Sequence, residues 1–315
     1  MTTERGRSDG EAATEPSGAR GASTPPGHDG DPAPDPLGQL LTYLDLRRGG
    51  RDRFIGRSVP QVHGRVYGGQ VLAQSMIAAA DTIAEGRQPH SVHGYFLRPG
   101  DLEEPITFAV ERLRDGRSFS ARRVHALQFD KPILTVMTSF QEVQEGIEHA
   151  EPAPQVPGPE ELPSAVELFR SIDHPLAQHF YRNFAFDVRH VEGSLFLGRA
   201  EQARPTQHLW MRSRGPVPGE QVYQRAILAY ACDQIMLEPV LRAHELSWRT
   251  RGMSVASLDH AMWWHRDVDM TEWLLYAQGS PSAQGGRGLG TARVYNTDGA
   301  LVATIAQEGM IRPPR

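Results

Sequence analysis

The sequence predicts an α+β protein made of two similar bodies, and three observations carry that reading. Each half holds one helix-length segment that is apolar almost all round. Each such segment is followed by period-two segments separated by turn residues. An acidic, proline-rich stretch divides the halves. A helix without a wide polar face is a buried one, and a buried helix followed by antiparallel strands is an α+β plan.

In chain order, residues 1–36 are rich in Gly, Pro, Ala, Ser, Thr and charge and contain no aromatic residue. They bury too little to offset the entropy of ordering, which predicts a disordered tail. Residues 37–46 predict a short amphipathic helix with Leu40, Leu41 and Leu44 on one side, and Gly49 and Gly50 read as breakers after it. Residues 53–66 read as extended. Gly68 and Gly69 then launch a buried helix over 70–84 that carries Leu72, Met76, Ala79, Ala80 and Ile83. The period changes to two in strands over 92–97, 106–113, 119–128 and 133–141, with Pro99-Gly100 ending the first and Asp115-Gly116 as a hairpin turn.

Residues 142–164 contain EPAPQVPGPEELP and predict an exposed linker, with a helix over 163–180 after it. Strands over 184–191 and 208–214 lead into a second buried helix over 226–237. Its only strongly polar side chains are Asp233 and Gln234. Strands follow over 255–264, 272–278, 289–295 and 301–311. The run GGRGLG (285–290) opens a period-two strand, so it reads as a hairpin turn and not as a nucleotide loop, which should lead into a helix. The domain plan is a tail over 1–36, a first body over 37–148, a linker with helix over 149–181, and a second body over 182–315.

The two bodies look duplicated. HSVHGYFLR answers ASLDHAMWWHR and TSFQE answers TIAQE; Ser91 and Ser257, like Gln141 and Gln307, are separated by 166 residues (257 − 91 and 307 − 141). At that offset Asp233 falls opposite Tyr67 to Gln70, where there is no carboxylate, so only the second half carries the acid.

Several function classes drop out on composition. A net charge of −5 argues against bulk nucleic-acid binding. No apolar run approaches the roughly 20 residues needed to span a bilayer, and no signal peptide is recognisable. A single cysteine, Cys232, allows no internal disulfide and no cysteine-only metal site. A cytoplasmic protein without membrane or nucleic-acid partners fits. Asp233, carried into the interior, needs donors or a displaced pKa, and either suits a catalytic carboxylate; a structural buried acid is the plainer reading. Cys232 points about 100° away from it and reads as core filler. His90, His93 and His260 lack metal-ligand spacing and read as structural. The cluster Arg112, Arg114, Arg117, Arg122 and Arg123 suits either phosphate groups or solvated strand edges.

The runs VYGGQVLAQ, HSVHGYFLRPGD, RDGRSFSARRV, LDHAMWWHR and AQEGMIR resemble the acyl-CoA thioesterase II family, over residues 37–315. That resemblance implies two tandem hotdog domains in one chain and hydrolysis of acyl-CoA to free fatty acid and coenzyme A. It also implies a homo-oligomer, and no cofactor or metal. The family's water-positioning Asp, Thr or Ser, and Gln fall on Asp233, Ser257 and Gln307. Serine keeps the hydroxyl of the commoner threonine and loses the methyl that stiffens its rotamer. The family's motif histidine falls on His90, carried over as an accessory residue. Direct attack by Asp233 through an anhydride stays open beside water activation. Two rival functions also stay open: a hotdog enoyl-CoA hydratase, which would want a histidine close to Asp233 in the chain, and a non-catalytic acyl-CoA binder.

Overall fold

The computed structural model describes residues 35–61, 64–173 and 175–314. All but the last two residues of the predicted tail therefore lie outside the described residues. In order, the elements are α1 (Pro36–Leu44), β1 (Arg47–Gly50), β2 (Arg53–Gly56), α2 (Gly68–Ala80), β3 (Arg87–Phe96), β4 (Ile106–Asp115), β5 (Phe119–Gln128), β6 (Lys131–Glu142), α3 (Ala165–Arg170), α4 (Pro175–Asn183), β7 (Phe186–His190), β8 (Thr206–Ser213), α5 (Gln221–Cys232), α6 (Glu238–Ala243), β9 (Ser254–Ser257), β10 (Asp259–Trp264), β11 (Leu274–Gln284), β12 (Arg287–Tyr295) and β13 (Leu301–Arg312).

The strands form one antiparallel 13-stranded sheet in the order β1-β2-β4-β5-β6-β3-β10-β13-β12-β11-β8-β7, with β9 beside β13. The order β2-β4-β5-β6-β3 of the first half returns as β8-β11-β12-β13-β10 in the second. The halves join at β3–β10, where Tyr95 pairs with Asp259 and Ser91 with Trp263. This is the double hotdog that the resemblance implied. The buried helix of each half, α2 or α5, packs against the other. Every residue of α2 from Gly69 to Ala79 is buried, as is every residue of α5 from Gln224 to Cys232. Gly69 sits where the helices meet: a methyl group there would come within 2.6 Å of the Tyr230 carbonyl oxygen.

Several expectations are corrected. Pro36, assigned to the tail, opens α1, with the Asp35 carboxylate accepting the Gly38 N–H at 2.8 Å; proline is suited to a first helical position. Gly49 and Gly50 lie inside β1, an exposed edge strand that turns back through Arg51-Asp52. The helix over 163–180 is two helices, one ending at Arg170 and the other opening at Pro175, and proline is suited to a first helical position. The linker is exposed throughout 143–152, and beyond that its apolar residues turn inward. Ala153, Val156 and Leu162 pack on Trp210, Trp273, Leu275 and Tyr295, and the Trp210 indole N–H donates to the Pro157 carbonyl at 2.9 Å. The aromatic outer face of β8 and β11 needs cover, and a proline-rich strap supplies it with little chain entropy left to lose.

The duplication is real in topology, but its residue correspondence differs from the 166-residue offset. Both inner strands carry an irregularity, at His90 in β3 and at Leu258 between β9 and β10. Pro89 pairs with Phe140 and Ser257 with Gly309 on either side of it. Ser257 therefore answers Pro89, not Ser91, and Gln307 answers Thr138, not Gln141. By helix position Asp233 answers Asp81, since each is the C-cap of its helix. Asp81 pairs with Arg48 on the surface. The first half has the acid position but none of the partners.

Candidate active site

Helix α5 begins five residues earlier than expected and ends at Cys232, so Asp233 is its C-cap and not an interior residue. The chain turns there and resumes as α6. Two glycines admit this turn. A methyl on Gly290 of β12 would be driven into the Met236 carbonyl oxygen, and one on Gly309 of β13 into the Leu237 side chain. The turn leaves the Asp233 carboxylate between two helix ends, with Oδ2 only 2.9 Å from where a methyl on Gly68 would lie. Gly68 is the first residue of α2. The positive end of α2 thus faces the carboxylate and offsets its place at the negative end of α5.

Ser257, from the end of β9, and Gln307, from the middle of β13, meet Asp233 at a single oxygen. Ser257 Oγ donates to Oδ1 at 3.0 Å and Gln307 Nε2 donates to Oδ1 at 2.9 Å; the same amide nitrogen lies 2.8 Å from Ser257 Oγ. Oδ2 makes no hydrogen bond among the described residues. The N–H groups of Gly68 and Gly69 likewise have no acceptor there, because Tyr67, at the N-cap, provides no side-chain cap. Tyr67 instead donates its hydroxyl to the Tyr230 carbonyl at 2.6 Å. Burial, reinforced by the Asp233 charge, keeps that phenol far from ionising.

Gln307 is completely buried and its amide orientation is fixed from behind. His260 Nδ1 lies 2.7 Å from Oε1, and His260 Nε2 lies 3.5 Å from Cys232 Sγ. Oε1 only accepts, so Nδ1 carries the proton and donates it. Burial pushes the imidazole below its ordinary range, although the Asp233 charge pulls the other way. Burial and the same charge push the Cys232 thiol up, which keeps it protonated and agrees with core filler. His260, read from the sequence as a structural histidine, is the residue that orients the Gln307 amide. Its signal was its place in the run LDHAMWWHR, and proximity in the chain to Asp233 was the wrong criterion, because β10 brings it in from another strand.

The structure thus brings Asp233, Ser257 and Gln307 together and leaves His90 outside. His90 Nε2 lies 2.8 Å from Ser139 Oγ, and its ring meets Phe119 edge-on. Arg225, which donates to the Pro89 carbonyl at 2.7 Å, fills the corresponding region of the first half. Of the arginine cluster, Arg112, Arg122 and Arg123 are paired with Asp52, Asp115 and Glu111. GGRGLG turns as a hairpin with positive φ at Gly285 and Gly286, as expected. Among the described residues no three His, Cys, Asp or Glu side chains are grouped to hold a metal.

Gly68 and Ser257 line a cavity of about 320 Å³ whose walls are mainly apolar, including Val71, Phe96, Ile133 and Val255. A larger cavity of about 670 Å³ lies between α3 and the β7–β8 edge, but it contains none of the trio. Its Arg189 and Arg212 stack on Trp273.

Comparison with known proteins shows the family. Residues 57–141 match the model of the acyl-CoA thioesterase N-terminal domain, and residues 148–311 that of the C-terminal domain. The chain belongs to the acyl-CoA thioesterase family. That membership makes it a thioester hydrolase. It is similar to acyl-CoA thioesterase 2 of Haemophilus influenzae, 37% identical over 88% of this chain and 98% of the relative. Among solved structures it is similar to acyl-CoA thioesterase II TesB2 of Mycobacterium marinum, with TM-score 0.73 and 37% identity over 87% of this chain and 98% of that one. A conserved hot dog fold protein of unknown function from Alicyclobacillus acidocaldarius matches at TM-score 0.73 and 21% identity, covering 88% of this chain and 99% of that one. That likeness speaks for the fold alone. No described helix is long and apolar enough to cross a membrane.

Proposed function

We propose that this thioesterase hydrolyses acyl-CoA to free acid and coenzyme A by means of a water molecule held by Asp233, Ser257 and Gln307. The observation that carries the reading is the asymmetry of the carboxylate. Oδ1 takes both side-chain donors, and Oδ2 is left as an acceptor facing the start of α2 on the cavity wall. A water bound at Oδ2 gives up a proton to Asp233 as its oxygen forms a bond to the thioester carbonyl carbon. The N–H groups of Gly68 and Gly69 are placed to stabilise the resulting oxyanion. Collapse breaks the C–S bond, and Asp233 returns the proton to the departing thiolate. His260 holds the Gln307 amide so that its NH₂, not its oxygen, faces the carboxylate. A homo-oligomer working in the cytoplasm belongs to the same reading.

The purified protein is therefore expected to release free thiol from acyl-CoA esters with no added metal and with undiminished rate in a chelator. Hydration of an enoyl-CoA without thiol release would favour the hydratase alternative. Binding without turnover would favour the non-catalytic one. Activity abolished by the chelator and restored by zinc would contradict the mechanism.

A further inference from the structure

The cavity beside Ser257 does not end at its apolar walls. It shares Arg65, Arg98, Pro99, Gly100 and Ile133 with an adjoining cavity of about 410 Å³ that reaches the β5–β6 hairpin. The character of the lining changes along this path. Beside Ser257 the walls are mainly apolar; Arg65 and Arg98 stand where the two cavities meet and line both, and Lys131, the only lysine in the chain, lines the far one. Among the described residues none of these three meets a carboxylate within ion-pair distance; Arg98 donates to the Pro132 carbonyl at 2.8 Å. The one carboxylate in this lining, Asp101, accepts the Glu103 N–H at 3.0 Å. The arginines of the β4–β5 hairpin, by contrast, are largely neutralised by neighbours.

Phe129 stands on the rim of the same cavity. It and Asp130 form the two-residue turn between β5 and β6, with φ of 51° and 56°. Such turns favour Asn and Gly, because bulky side chains fit poorly at positive φ. Turn formation therefore does not explain a phenylalanine here, nor does burial, since the residue is 66% exposed. An exposed aromatic face beside a cluster of unpaired cations matches the chemistry of an adenine nucleotide: the ring stacks on the base and the cations take the phosphates.

We propose that Arg65, Arg98, Lys131 and Phe129 form the subsite for the phosphorylated adenosine of coenzyme A, and that the apolar passage from there to Ser257 carries the pantetheine arm. This rests on the reading that the substrate is an acyl-CoA, and it fixes the direction in which that substrate lies: nucleotide at the β5–β6 hairpin, thioester at the start of α2.

Two measurements test it. The first compares kcat/KM for one acyl group presented as its coenzyme A ester and as its N-acetylcysteamine ester, which lacks the nucleotide. In Arg65→Ala/Arg98→Ala/Lys131→Ala the preference for the coenzyme A ester should fall by about 10-fold or more, the equivalent of losing one or two charge-assisted hydrogen bonds. Phe129→Ala should lower the same ratio by a smaller factor. Taking a ratio cancels any general loss from misfolding. An unchanged ratio overturns the subsite. The second measures binding of adenosine 3′,5′-bisphosphate by calorimetry, which needs no turnover. The unsubstituted protein should bind it, and the triple variant should bind about 10-fold or more weakly. If the unsubstituted protein binds the nucleotide but releases no thiol, the hydrolase reading fails and the subsite stands. If it hydrolyses acyl-CoA and the triple variant binds the nucleotide as well as the unsubstituted protein does, the subsite fails and the hydrolase reading stands.

Discussion

Asp233→Asn is expected to lower kcat by roughly 10² to 10⁴, the range for loss of a general base, while the protein keeps its circular dichroism spectrum. The substitution preserves shape, so Ser257 and Gln307 can still donate to the retained amide oxygen in the place of Oδ1. What changes is the other position. An NH₂ there is a donor where the water needs an acceptor, and it faces the Gly68 and Gly69 N–H groups, which are donors too. The loss should therefore fall on kcat far more than on KM.

The second large effect is expected at a position that touches no substrate. Gly290→Ala would place a methyl group against the Met236 carbonyl oxygen. The obstacle is backbone and not the end of a flexible side chain, so strand or turn must shift. Overpacking of this kind costs about 1–3 kcal/mol, which at roughly 2–4 °C per kcal/mol in a chain of this size lowers Tm by several degrees. The displaced turn begins at Asp233, so kcat should fall as well. Gly279→Ala is the control: a methyl there lies 3.7 Å from the Pro205 carbonyl oxygen, an ordinary contact, and both Tm and kcat should stay near wild type. Comparable damage from the two substitutions would mean that any residue added to this sheet is harmful and that Gly290 has no special relation to the turn.

Much of this arrangement was legible because local and tertiary signals agree. The all-round apolar segments really are the two buried helices, and the period-two runs with Pro99-Gly100, Asp115-Gly116 and Gly285-Gly286 really are strands with turns near those residues. Asp233, Ser257 and Gln307 were named together through the family resemblance, and the fold brings them to one oxygen. What was not legible depended on distant chain. Nothing between Ala226 and Leu237 says that α5 stops at Cys232, because the turn is accommodated by Gly290 and Gly309 on strands far along the sequence. The repeat offset misled because similar letters at Ser91 and Ser257 and at Gln141 and Gln307 suggested an alignment that the strand pairing does not follow, and because the added helix α6 changes the spacing from helix to strands in the second half alone. The strap over Trp210 is a contact between segments about fifty residues apart, which composition alone presents as an exposed linker. The second helix opening at Pro175 is different, since the proline was visible and its preference for a first helical position is local.

Asp233, Ser257 and Gln307 are proposed to hold one water as a unit, in the second half alone. The decisive measurement is kcat for Asp233→Asn, Gln307→Ala and the double variant, with Gln141→Ala as the first-half comparison. Gln141 lies at the outer end of β6, where it donates to Gln144 at 3.3 Å. Gln307→Ala alone should cost less than Asp233→Asn, the double variant should be no worse than Asp233→Asn to within about 3-fold, because residues sharing one task fail to add, and Gln141→Ala should stay near wild type. Losses that multiply fully in the double variant, or equal losses at Gln141 and Gln307 in folded proteins, would contradict it.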